Sequence, residues 1–303
     1  MTGSGARVAA VSAVAFRFRD DEPVGKGLHR VVKKELRTAA DCLTDGENEA
    51  IHEARKSIKK VRAVLQLVGG SLGANGALKE LRRASHLLTA LRDADAIIET
   101  AHDLRSRSED ATPASVSARL DAHLATQQAT CRRAADRDHV RPKAARAIDR
   151  VRRDLRDWHW KRTDYSALVK GLKRSYKRAR NGMRTIRGDR NPDAFHEWRK
   201  RVKTLWYGLR LLEDHAPRLH RTIADFKRLE TWLGDDHNLF VLEQQIHTMR
   251  FPTPADGGRA HLHTHIERRQ HELRRKGLAI GARLFAVSPK EFVERRTPPS
   301  ISE

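Results

Sequence analysis

HEARKSIKKVRAVLQLV, from His52 to Val68, and HEWRKRVKTLWYGLRLL, from His196 to Leu212, each place His, Arg, Lys and Lys at offsets 0, 3, 4 and 7. Seven of the 17 aligned positions are identical, which makes an internal duplication the economical explanation. At about 100° per residue, His52, Arg55, Lys56 and Lys59 fall within one arc of a helix, with Arg62 at its edge. Ala54, Ile58, Val61, Leu65 and Val68 fall on the opposite side and predict a helix buried on one face and cationic on the other. The second copy repeats the arrangement, with His196, Arg199, Lys200 and Lys203 set against Trp198, Val202, Leu205, Leu209 and Leu212. One basic stripe is usually a solvated face, and Glu53 and Glu197 offset part of the charge. Recurrence of the same residue types at the same offsets is not what a solvated face requires, because such a face accepts Lys, Arg, Glu and Gln almost interchangeably.

The charge of the whole chain agrees. Its 303 residues hold 61 Lys plus Arg against 39 Asp plus Glu, a formal net charge of +22, which favours phosphates or anionic surfaces as partners. Arg presents a planar fork to phosphate oxygens, Lys a compact rotating charge, and His a donor set by its protonation. A His among cations resists protonation until an anion arrives, so tighter anion binding at mildly acidic pH is expected.

Outward from the two stretches, apolar residues recur at three and four, Gly and Pro stand between segments, and alternating Val/Ile/Thr runs are absent, so the predicted fold is all-α. The predicted helices cover about 23–43, the first cassette up to Gly69-Gly70 after an interruption at residues 45–48, and then 77–89, 93–107, 113–138 and 142–158. In the second half they cover 165–186, the cassette introduced by Asn191-Pro192-Asp193, a helix ending at Leu233 before Gly234, 238–249, and 258–287 after a break at residues 251–254. LTALRDADAII, at Leu88 to Ile98, pairs with LGDDHNLFVL, at Leu233 to Leu242, with Asp93 and Asn238 read as helix caps. Residues 1–21 read as a flexible lead and 289–303 as a disordered tail.

No apolar run reaches the roughly 20 residues of a bilayer span. Cys42 and Cys131, with no Cys-x-x-Cys, suggest neither a disulfide framework nor a thiolate metal site, and a reducing, cytoplasmic setting fits. VAAVSAVAF near the N-terminus faintly resembles a signal-peptide core, but the weak charge before it and the basic body after it argue against export.

With these motifs the sequence resembles the CHAD family, the conserved-histidine α-helical domain, through HEARKSIK and HEWRKRVK, then LTALRD and LGDDHN, with Lys203 and Tyr207 matching a second-repeat KxxxY element. The resemblance covers about residues 22–288, as repeats of about 22–160 and 161–288, without a fused CYTH domain, for which the chain has no strand pattern. It implies two pseudo-symmetric four-helix bundles, a basic cavity between them, and binding of inorganic polyphosphate; the expected function is non-catalytic binding, and an adaptor that docks on polyphosphate granules or partner proteins is an overlapping alternative. The implied contacts are His52, Arg55, Lys56, Lys59, Arg62 and Arg92 in the first repeat and His196, Arg199, Lys200 and Lys203 in the second. Arg92 has His237 as its counterpart, and Arg62 has Trp206, so the second wall is expected either to be less cationic or to rely more on the preceding helices. Arg30, Lys33, Lys34 and Arg37 before the first cassette, and Lys173, Lys177, Arg180 and Arg184 before the second, with Tyr207, are candidates for additional wall, with solvated surface as the equal alternative.

Two rival readings stand beside this one. A nucleic-acid binder shares the charge, but aromatic residues are only 5%, which leaves few stacking platforms. A metal-dependent phosphohydrolase needs carboxylates or a His cluster. Only His261 and His265 of the alternating His261, His263 and His265 share a helical face, His271-Glu272 lacks a second His, and Asp93 and Asp95, or Asp235 and Asp236, could hold Mg²⁺ alongside phosphates, although Asp93 and Asn238 read more simply as helix caps. No cofactor and no protein-bound metal are expected.

Overall fold

The computed structural model describes residues 16–19, 22–44, 48–74, 76–107, 112–188, 191–249 and 257–299. Among them it forms eleven α-helices and no strand: α1 Val24–Thr44, α2 Asn48–Leu72, α3 Ala77–Leu87, α4 Thr89–Ser106, α5 Ala114–Arg137, α6 Val140–Asp154, α7 Tyr165–Gly188, α8 Pro192–Arg210, α9 His220–Thr248, α10 Gly258–Leu284 and α11 Pro289–Arg296. The all-α expectation holds, and the two cassettes are α2 and α8. Asn191 and Pro192 start α8 as read, the Asn191 side chain accepting from the Asp193 amide at 2.9 Å, with Pro192 in the first turn, where its missing N–H costs nothing.

The apolar stripes of both cassettes are buried. They meet through two close approaches. A Cβ at Gly171 on α7 would lie 2.5 Å from the Leu67 carbonyl oxygen of α2, and one at Gly208 on α8 would lie 2.8 Å from the Leu67 side chain. Only hydrogen at these positions lets α2, α7 and α8 converge on Leu67. α2 touches α8, and α4 touches α9, so each duplicated element meets its counterpart.

The buried apolar residues form two cores, and each draws on both sequence repeats. The larger takes α1, α2, α3, α6, α7, α8, the first half of α9 and α11. The smaller takes α4, α5, the second half of α9 and the first half of α10.

Several sequence expectations are corrected. Gly69-Gly70 does not stop α2, because Leu72 is buried beyond it and that burial outweighs the weak helix propensity of glycine; the break comes at Gly73, with φ +67°. Gly234 does not break α9, and Asp93 and Asn238 lie inside helices rather than at caps. The lead is not loose at residues 16–19: Phe16 and Phe18 are buried, the Phe18 amide donates to the Leu211 carbonyl at 3.0 Å, and Arg17 pairs with Asp214 at 2.6 Å. The tail is not disordered at 289–296, where Ser288 and Glu291 form a capping box and Phe292 and Val293 are buried. Residues 1–15, the interruption at 45–47, the break at 251–254 and residues 300–303 lie outside the described residues.

Candidate functional site

The packing of α2 on α8 sets the two basic faces against one another. Thr204 of α8 donates to the Gln66 side chain of α2 at 3.0 Å, and on the same side equivalent residues repel each other. Lys203 and Arg199 act on Lys59, and Arg199 acts on Arg55. Burial comes first and these neighbouring cations second in holding the Lys59 ammonium well below the usual lysine range. Arg55 and Arg62 are weakened in the same order, Arg62 chiefly by burial and then by Arg82. Each has donors to spare. The Nε atoms of Arg55, Arg62 and Arg199 are buried without a hydrogen-bond acceptor among the described residues, although Arg55 Nη1 donates to the Ser85 carbonyl at 3.2 Å.

The break motifs close the site. Arg92 of α4 acts on His52, Arg55 and Arg199, so it stands between the walls, while its own guanidinium donates to Glu99 at 3.1 Å. His237 of α9, the counterpart of Arg92, meets His196 with 3.1 Å between their Nδ1 atoms, so one ring donates and the other accepts. Each cassette His thus faces the residue at its own break. Burial, then Arg92, Lys56 and Lys59, against Glu53, lower His52 to about 4. Burial, then Arg199, His196, Lys200 and Lys59, lower His237 to about 3. His196 is lowered too, by burial first and then by Lys200 and Arg199.

Of the carboxylates here, Asp93 and Asp235 were singled out from sequence, for other roles, and Glu230 was not. Glu230 of α9 is buried, accepts from Lys203 at 2.5 Å and from Lys227 at 3.2 Å, and titrates at about 2, because Lys203, Lys227 and Arg199 outweigh the burial that would raise it. Asp93 draws on both Arg55 and Arg199. Asp235, raised by burial, also acts on Arg199. Had α9 been read through Gly234, Glu230 and His237 would have fallen on one helical face with Gly234, at offsets 0, 7 and 4. Gly234 has a local use: the Arg199 guanidinium packs against it.

His52, Arg55, Lys59, Arg62, Arg92, His196, Arg199 and Lys203 are therefore brought together. Lys56 and Lys200 sit at the margin, tied to Glu53 at 3.0 Å and Glu197 at 2.6 Å on their own helices. The additional wall is not built as proposed. Tyr207 is buried in the core, edge-on to Phe16 and beside Trp206, with burial pushing its hydroxyl up. Arg30 binds Glu22 and the Arg17 carbonyl, and Arg180 the Phe285 carbonyl at 3.0 Å. Lys33 lies beside His29, whose ring is tilted against Trp160 with 5.0 Å between centroids; Arg37 is exposed and paired with Asp41; and Lys34 on α1, with Lys173, Lys177 and Arg184 on α7, is not among the charges acting on the paired cassettes. Trp206, at the register of Arg62, instead carries Lys227 4.8 Å and Arg210 5.3 Å from its ring centre.

A family model for the CHAD domain matches residues 26–247. The chain belongs to the CHAD family. Among solved structures it is similar to PptA from Streptomyces chartreusis, with TM-score 0.62 and 14% identity over 88% of this chain and 100% of that one. It is also similar to the CHAD domain from the plant Ricinus communis, with TM-score 0.61 and 16% identity over 91% of this chain and 96% of that one. At such identities the likeness is one of CHAD fold. No curated protein matches. No helix among the described residues is long and apolar enough to cross a membrane.

Proposed function

We propose that this CHAD protein binds inorganic polyphosphate, without catalysis, between its two cassette helices. The observation that carries the reading is the confrontation of Arg55 and Lys59 with Arg199 and Lys203, which are half-buried or buried, repel each other and keep guanidinium donors unspent. An anion entering there relieves the repulsion and supplies acceptors. A linear polymer of phosphates satisfies several cations at once, whereas a single phosphate leaves most of the wall unmet. Granule targeting in the cytoplasm follows from the same affinity.

Two of the four carboxylates considered for metal-assisted hydrolysis are already engaged by cations. Asp95 accepts from Gln128 at 2.8 Å and Arg132 at 3.0 Å, and Asp236 accepts from Arg274 at 2.7 Å. A nucleic-acid ligand would use the same charges but would need stacking surfaces, and Trp206, which carries Lys227 and Arg210 on its ring, is buried. The test titrates polyphosphates of defined length against wild type and Arg55→Glu/Arg199→Glu, with circular dichroism to verify folding and duplex DNA as competitor. Loss of binding in the folded variant, failure of DNA to compete at physiological salt, and no phosphate release with Mg²⁺ or Mn²⁺ are expected. Equal binding by the two proteins refutes the site, and efficient displacement by DNA replaces the ligand.

A further inference from the structure

α7 contains no acidic residue in its 24 positions. Its buried side, carried by Leu168, Leu172, Tyr176, Ala179, Met183 and Ile186, packs on α2, α8 and α11. Lys170, Lys173, Lys177 and Arg184 lie on the other side and are exposed. By helical geometry they fall within an arc of about 60°, centred about 150° from the buried side, and run about 21 Å along the axis. None of these four has a carboxylate or other hydrogen-bond partner among the described residues. The acids of the adjoining α11 are satisfied within their own helix, Glu291 by Arg295 at 2.7 Å and Glu294 by Lys290 at 3.8 Å.

This stripe is separate from the cleft. α7 meets α8 through Gly182 against Trp198 and through Leu172 against Gly208, and Trp198 and Gly208 lie on the side of α8 away from Arg199 and Lys203. The same helix α8 therefore carries the cleft on one side and supports the α7 stripe on the other.

We propose that the exposed face of α7 is a second polyphosphate-binding surface, which makes the protein bivalent and able to bridge polyphosphate chains. The inference rests on the cleft reading above for its first valence. Unpaired like charges along one exposed line are costly to keep together without a counter-polymer, since like charges one turn apart destabilise a helix. The stripe offers no ring for stacking, because Tyr176 is buried and the Tyr165 hydroxyl is engaged by the Pro298 carbonyl at 2.5 Å. Bare phosphate therefore suits it better than nucleotides. A shallow surface binds one segment weakly, but a chain held in the cleft of one molecule and on the stripe of another gains avidity from length.

The experiment compares wild type, Lys173→Glu/Lys177→Glu/Arg184→Glu, and the cleft variant Lys59→Ala/Arg199→Ala. Short-chain polyphosphate is titrated calorimetrically, and light scattering is followed as long-chain polyphosphate is added. The stripe variant should keep short-chain affinity within about threefold, as expected for exposed charges, and lose scattering by at least about tenfold. Scattering equal to wild type overturns the inference. So does an equal loss of short-chain affinity, which would make the stripe part of the cleft, and so does preferential binding of duplex DNA or RNA over polyphosphate by the cleft variant. Tight one-to-one short-chain binding by wild type without bridging overturns bivalency alone, whereas no short-chain binding by wild type removes the cleft reading and bivalency with it.

Discussion

Lys59 and Lys203 hold the same position in the same repeated motif, yet among the described residues only Lys203 is hydrogen-bonded to a carboxylate, Glu230, which acts on Lys59 without such a bond. Glu230 accepts from it at 2.5 Å, while Lys59 has no such partner among the described residues and is pressed by Lys203, Arg55 and Arg199. Further along, Arg62 in the first wall keeps an unsatisfied Nε, where the second wall has Trp206 with cations on its face. The lysine of the second wall is thus neutralised by a direct partner, and that of the first wall is not. Two copies of one charged motif acquire different electrostatic roles from what α9 supplies to each.

This difference can be broken from either side. The largest effect is expected for Lys59→Ala, which removes a cation that no carboxylate among the described residues holds by a hydrogen bond: polyphosphate affinity should fall about 10- to 100-fold, the worth of one charge-assisted contact. Lys203→Ala should cost less in affinity but more in stability, since it leaves the buried Glu230 with Lys227 as its one hydrogen-bonded cation among the described residues. Isothermal titration paired with thermal unfolding separates the two, and identical profiles would erase the asymmetry.

Glu230→Gln sharpens the comparison in the opposite direction. Removing the built-in anion should destabilise the free protein by about 3 kcal/mol, because Lys203 remains buried without its countercharge. It should also tighten polyphosphate binding several-fold, and saturating polyphosphate should recover more melting temperature in the variant than in wild type. Weaker binding would mean that Glu230 orders the cations rather than competing for them.

The pH dependence should split binding from stability. His52 at about 4 and His237 at about 3 lie below the ordinary 6.5, so the free folded protein binds fewer protons there than the unfolded chain, and its stability falls as pH drops from about 6.5 toward 4. Bound phosphate raises both groups, so affinity should increase over the same interval. The window lies lower than the mildly acidic range expected from the unperturbed His value, because burial and the surrounding cations act together. Affinity that stays level from pH 7 to 5, or a rise retained by His52→Ala/His237→Ala, would remove the histidines from the linkage.

The smallest effect concerns salt. Six facing cations predict a slope of log affinity on log salt of about −4, and Lys59→Ala should flatten it by about 0.7. Lys56→Ala, whose ammonium is engaged by Glu53, should change it little.

Much of this was legible before any coordinates. The three-and-four spacing of Ala54, Ile58, Val61 and Leu65 dictates both a helix and its buried side, and the fixed offsets of His, Arg and Lys dictate the basic face. Gly234 misled because glycine propensity is weak against the burial of Leu233 and Leu239 on either side of it. Once α9 was divided there, Glu230 and His237 could not be placed on one face. The basic residues of α1 and α7 misled for another reason. Charge and amphipathic period place a residue outward from its own helix, but the side of the molecule on which that helix lies depends on contacts such as Gly171 against Leu67, which have no local signature. Phe16 and Phe18 were missed because the one closes the short VAAVSAVAF run and the other stands among the charged residues after it, which were read as a loose lead, whereas two rings suffice to anchor a short segment.

The unbroken course of α9 has a consequence for cooperativity. Its first half lies in the larger core and its second half in the smaller, and Glu230 and His237 sit where one gives way to the other. A local opening of either core must fray the rod that the other depends on, so the chain should melt in a single calorimetric transition, and cutting it between the sequence repeats should leave two fragments that fold only when mixed.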